Sequence, residues 1–160
     1  MSNPPASSPL HRGYAFLVTA ASYLQSPLLL AIRLFWGWQF IGTGLAKLQG
    51  HDAFVEHFAE WHVPLPSLSV WMAGTTEFVG GALLLIGLAS RLASIPLIGT
   101  MVVAYVTAEP EALHAIFEDP DKFMGATPFL FLFACVIILA FGPGVFSVDY
   151  LLGRKFGARR

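Results

Sequence analysis

Charge is scarce in this chain, and cysteine nearly absent. Only 12% of its 160 residues are charged, about half the fraction usual in a soluble globular domain. The single cysteine, Cys135, lies within an apolar run, so neither an intramolecular disulfide nor a CxxC redox motif is available. No haem, iron–sulfur or flavin motif is visible either. The formal net charge is −1 and no basic stripe runs along the chain. That excludes nucleic acid as a partner, because phosphates must be met by clustered Lys and Arg. The N-terminus, MSNPPASSPLHRGYAF, has no charged region leading into an apolar core and an A-x-A-like site. It is therefore not expected to be a cleaved signal.

Apolar residues are what the chain has in excess. They make up 56% of the sequence, and the mean hydropathy is +0.66, the balance of an integral membrane protein surrounded by lipid. A spanning helix needs about 20 mostly apolar residues. Four segments approach that length, at about 28–48, 69–89, 92–108 and 125–141. The expected fold is all-α, a four-transmembrane-helix bundle over residues 27–146. A tail and interfacial helix occupy 1–26 before it, and a basic helix or tail occupies 147–160 after it. Residues 13–25 (GYAFLVTAASYLQ) are apolar but too short to span.

The connections read as membrane loops. The second and third spans meet through Ser90 and Arg91 alone, a tight antiparallel turn. Residues 109–124 (EPEALHAIFEDPDKFM) are acidic and interrupted by Pro110 and Pro120. Between the first two spans, Phe54, Phe58 and Trp61 recur at i, i+4 and i+7 within HDAFVEHFAEWHV. That places three aromatics on one face of a helix suited to the membrane interface. Arg12, Arg91, Arg154, Lys155, Arg159 and Arg160 all fall on one side of a four-span topology. The positive-inside rule then places both termini in the cytoplasm.

Arg33, Lys47, Glu77 and Arg91 lie within or beside the apolar segments. A charge near the bilayer centre costs roughly 2.5–3.5 kcal/mol on insertion scales, so each needs a partner or an interior-facing position. Arg33 and Lys47 are fourteen residues apart, as are Glu77 and Arg91, so each pair shares one face of its helix. Gly37, Phe40 and Gly44 lie between the first pair, and Gly81, Leu84 and Leu88 between the second. Small residues there admit close backbone approach. At a rise of about 1.5 Å per residue, Arg33 lies about 8 Å, Glu77 about 21 Å and Lys47 about 28 Å from the cytoplasmic boundary. Lys47 is therefore the first-choice partner of Glu77 and Arg33 the second, while Arg91 and Lys47 are near enough to the boundaries to snorkel. The pair has two readings: an ion-pair latch between the first two spans, or a proton-linked, quinone-bonding site.

After the fourth span comes GPGVFSVDYLLGRKFGARR. Gly142 can adopt a left-handed cap, and Pro143 cannot continue a helix. Ser147 is a suitable N-cap for a short helix with Asp149 in its first turn and Arg154 and Lys155 in its last. Together with LLAIRLFWGWQFIGTGLAKL and EFVGGALLLIGLASR, this GPGVFSVD turn resembles the DoxX/DoxD family of small four-helix membrane proteins, over about residues 28–150. The resemblance implies a bundle in the cytoplasmic membrane of a bacterium. It directs attention to Arg33, Lys47, Glu77, Arg91, Gly142, Pro143, Gly144, Ser147 and Asp149. It further implies an accessory or anchor subunit of a quinone-linked or sulfur redox complex, with a redox subunit as protein partner. The alternative is a non-catalytic binding or maturation factor for a client protein.

Trp36, Phe40, Tyr105 and Thr107 are candidates to line a quinone-sized pocket, although packing explains them equally well. No covalent cofactor is expected, and a quinone is the candidate non-covalent one. His57 and Glu60, spaced i, i+3, are weak metal-ligand candidates, better read as the polar face of an interfacial helix. Cys135 reads as a small packing residue. Glycine-bearing helix faces leave a homo-oligomer open.

Overall fold

A computed structural model describes residues 9–155 and 157, with side chains from residue 13 onward except Ala15. Residues 1–8, 156 and 158–160, including Arg159 and Arg160, lie outside the described residues, as does the side chain of Arg12. Among the described residues there are helices and no strands. They run α1 (Pro9–Gln49), α2 (His51–Glu60), α3 (Pro66–Ile86), α4 (Ser90–Thr107), α5 (Pro110–His114), α6 (Pro120–Gly125), α7 (Thr127–Phe141) and α8 (Val148–Lys155). Proline opens α3, α5 and α6 and sits in the first turn of α7, where its missing N–H is not needed. By length and composition, α1, α3 and α4 can cross a membrane. The apolar α7 has 15 residues, about 22 Å of helix.

Two expectations change. The interfacial helix foreseen at 13–25 and the first span are one continuous helix of 41 residues, with Pro27 inside it. No glycine interrupts residues 14–36. In a membrane setting a proline removes one backbone hydrogen bond without forcing a break. The turn between α3 and α4 is also not the Ser90–Arg91 pair. Gly87 ends α3 in the left-handed conformation, and the amides of Gly87 and Leu88 turn back to the carbonyl of Leu83, a Schellman-type stop. Ser90 and Arg91 are already the first residues of α4.

The tightest contact is antiparallel, between α1 and α3. A Cβ on Gly37 would lie 2.9 Å from the carbonyl oxygen of Gly81, and one on Gly81 would lie 2.8 Å from that of Gly37. The two glycines thus let backbone meet backbone. Lipid tails are as apolar as leucine, so this close van der Waals fit, more than any hydrophobic drive, holds spanning helices together. The core then fills with Phe40, Leu84, Leu97, Met101, Phe131, Cys135 and Ile138. Phe131 on α7 meets both Trp36 and Phe40 edge-on at 4.7 Å, which ties α7 to α1. Outside the spans, Lys122 donates to Glu111 at 2.8 Å. That hydrogen bond and charge hold the Glu111 carboxyl below its ordinary value, but both groups are exposed and the pair adds little stability.

Gly44 tests the close approach. A Cβ there would strike the backbone nitrogen of Phe78 and lie 2.7 Å from the carbonyl of Gly74, atoms that cannot yield independently. Gly44→Ala should destabilise the bundle by roughly 1–3 kcal/mol, as overpacking does. Gly42→Ala, where nothing lies within 4 Å, should not. Thermal unfolding in detergent checks this, and equal midpoints for the two variants would refute the packing.

Candidate functional site

The acid of the second span is paired. Lys47 Nζ, in the last turn of α1, donates to Glu77 Oε2 on α3 at 2.7 Å. Arg33, the rival partner, is engaged elsewhere. Glu77 shares a helix face with Gly74 and Gly81. A Cβ on Gly74 would lie 3.2 Å from Lys47 Cβ, so the bare glycine is what lets the lysine stem pass. The side chains are 17% exposed for Lys47 and 4% for Glu77, so the pair is open on the lysine side. Lys47 also sits 5.7 Å above the ring of Phe54, within cation–π range.

That open side faces a cavity of about 630 Å³. It lies among α1, α2, α3, α4 and the start of α7. Lys47 and Glu77 form one wall, and Phe54, Phe58 and Trp61 close another. These aromatics share a face as the spacing implied, but the face turns to the cavity. Thr43, Thr100 and Thr107 also line it. Each of their hydroxyls donates to a carbonyl of its own helix, on Phe40, Leu97 and Val103 respectively, which leaves oxygen lone pairs for a ligand. After α2 the chain passes through His62 and Leu65, both at positive φ, an uncommon conformation for such residues.

The expected pocket set is largely corrected. Thr107 lines the cavity, whereas Trp36, Phe40 and Tyr105 do not. Phe40 is fully buried because it shares its face with Gly37 and Gly44, the seam against α3. Trp36 packs on Phe131. Tyr105 is buried, donates its hydroxyl to Phe123 O at 2.8 Å and stacks on that ring. The residues that sequence reasoning missed as pocket walls are the α2 aromatics and the threonines. The i, i+4, i+7 spacing was the available signal.

Arg33, Arg91 and the turn after α7 form a second cluster, at the other end of the bundle. Arg33 is fully buried and its Nη2 donates to Phe146 O at 2.6 Å. Its Nε and Nη1 find no partner among the described residues. Gly87 makes room for it, since a Cβ there would fall on Arg33 Nη1. Arg91 is exposed and donates to Ala140 O at 3.1 Å, placing a cation at the C-terminal end of α7. It passes beside Gly142, 3.4 Å from where a Cβ would stand. Gly142 and Gly144 have positive φ, with Pro143 between them. Ser147 Oγ accepts from Tyr150 N at 3.2 Å, an N-cap for α8. Asp149 acts away from its own helix. Its carboxylate accepts from Ala89 N at 2.7 Å and Ser90 N at 3.0 Å, capping α4, while its amide donates to Gly87 O.

His57 and Glu60 approach to 3.5 Å on an exposed face, and among the described residues no group of three or more His, Cys, Asp or Glu gathers as a metal site would. Cys135 is buried in the core.

The architecture is that of a small helical integral membrane protein with a charged pair beside an internal cavity. The DoxX family model matches residues 28–110, and the chain belongs to that family. It is 29% identical over 141 residues to "Uncharacterized membrane protein Rv3486" of Mycobacterium tuberculosis, covering 81% of this chain and 83% of that one. It is 29% identical over 137 residues to "Putative oxidoreductase CatD" of Bacillus subtilis, covering 80% and 90%. A Haemophilus influenzae protein is 24% identical over 132 residues, covering 80% and 85%. No solved structure matches the chain.

Asp149→Ala removes the acceptor for two α4 amides and should lower stability by about 1 kcal/mol, the usual effect of losing a cap. Asp149→Asn, which keeps an acceptor oxygen, should lose less. Thermal midpoints of the two variants decide it, and an unchanged Asp149→Ala would remove the tie from the account.

Proposed function

We propose that this DoxX-family protein is an accessory or anchor subunit of a quinone-linked redox complex, and that a quinone binds beside Lys47 and Glu77. The observation that carries the reading is that the pair opens onto the 630 Å³ cavity, whereas a pure latch between helices would be sealed by packing. Flat aromatic walls on one side and hydroxyl oxygens on the other suit a ring with polar edges. Lys47 Nζ donates to a ring carbonyl while Glu77 holds the ammonium in place and balances its charge. Thr43 and Thr100, whose own protons go to the Phe40 and Leu97 carbonyls, accept from the ring O–H of the reduced, quinol form at the opposite edge. Electrons come from a partner chain, since no haem, iron–sulfur or flavin motif occurs in the sequence. The relative named "Putative oxidoreductase CatD" supports a redox setting. The Lys and Arg distribution supports a cytoplasmic position for Arg91 and α8, with the cavity toward the outer side of a bacterial cytoplasmic membrane.

A second reading, recruitment of a client, draws on the loop between α4 and α7. It carries Glu109, Glu111, Glu118, Asp119 and Asp121 against Lys122 and leaves Phe117 91% exposed.

Natively purified protein should carry quinone and a redox partner. Lys47→Met should weaken quinone binding about tenfold or more, the effect of losing a charged hydrogen bond. Glu77→Gln should reduce quinone-dependent activity in the folded fraction. If Glu77→Gln lowers yield while the surviving protein works normally, the pair is only a latch. If neither quinone nor partner co-purifies and deletion leaves quinone reduction unchanged, the proposal fails, and capture of a non-redox client favours the second reading.

A further inference from the structure

The end of the bundle opposite the cavity holds a second pocket, of about 390 Å³. It lies between α1 at Gln25 and Ser26, the turn after α7, and α8. Five donor side chains line it, Gln25, Ser26, Ser147, Tyr150 and Arg154, of which Ser147 is spent on the carbonyl of Gly144. The side chains of Gln25, Tyr150 and Arg154 make no hydrogen bond or ion pair with the described residues. Ser26 Oγ accepts from Val145 N at 3.3 Å, and its own O–H has no acceptor among the described residues. The one carboxylate in the lining, Asp149, is committed to the amides of Ala89 and Ser90. Donors therefore outnumber free acceptors, and one of them is a guanidinium whose planar fork matches phosphate.

Depth and surroundings narrow the ligand. The pocket stands beside the turn at which the α3 and α4 spans end, Ile86 and Ser90, since Asp149 in its lining bonds the amides of Ala89 and Ser90, so the pocket is at headgroup level. Leu24 and Leu28 on α1 and Phe141, Val145 and Leu151 on the other wall are exposed, an apolar flank for acyl chains. Among the described residues of the lining no free carboxylate meets the cation of a choline or ethanolamine headgroup. We infer that this pocket binds the phosphate of an anionic phospholipid, with Arg154 and Tyr150 holding the phosphate and Gln25 and Ser26 the rest of the headgroup.

Native mass spectrometry of the full chain in mild detergent tests this, with phosphatidylglycerol and phosphatidylcholine of equal acyl chains and, in a separate arm, inorganic phosphate. Phosphatidylglycerol should be retained preferentially. Arg154→Gln should lower its retention about fivefold, the value of one cation acting on an anionic lipid. Tyr150→Phe should lower it by less. Lys155→Gln, a neighbouring cation outside the lining, should leave it unchanged. Arg154→Gln binding like the parent, or Lys155→Gln losing as much, would overturn the site. Inorganic phosphate displacing the lipid at millimolar concentration would overturn the lipid assignment in favour of a free anion.

Discussion

A bilayer core contains no water to satisfy a stray polar group, and that constraint organises this molecule. Charges placed in or beside its apolar helices have had to find partners from the protein itself. Glu77 finds Lys47 across the α1–α3 seam. Arg33 finds the carbonyl of Phe146, and Asp149 finds the free amides at the start of α4. Ser94 returns its hydroxyl to the carbonyl of Ser90 within its own helix. The solutions between helices depend on close approach: Gly37, Gly44 and Gly81 bring backbone near backbone, while Gly74 leaves room for the Lys47 stem and Gly87 for the Arg33 guanidinium.

The α1–α3 pair is therefore both spine and hinge of function. At one end it carries the charged pair, with α2 folded over it so that aromatic rings cover the cavity. At the other end Arg33 anchors the turn that follows α7, and Asp149 pins that turn to α4. The two ends do different work. At one end the Lys47 ammonium, held by a nearly buried Glu77, opens on the cavity; at the other, Arg33 and Asp149 tie α1, the turn after α7 and α4 together.

The apolar helices were legible because long apolar runs have few alternatives. The pairing of Glu77 with Lys47 could be ranked above Arg33 because helical rise converts residue number into depth. The continuity of α1 was not legible. A proline after a short amphipathic stretch suggests a boundary, and only the absence of any competing turn residue and the backbone itself show otherwise. The pocket walls were misassigned for a similar reason. Of the expected residues only Thr107 faces the cavity, because rotation about each helix axis turns Trp36, Phe40 and Tyr105 into packing seams.

Taken alone, the sequence determined the helical class, the presence of long apolar helices, the membrane setting and which charges lie within or beside those helices, because hydropathy and helical period are local properties. Tertiary structure decided where those charges meet. Whether α2 faces lipid or cavity, and whether Asp149 caps its own helix or another, depends on helix rotation and approach. Those are set by glycine contacts between segments distant in the chain, such as Gly37 with Gly81, and no local pattern encodes them.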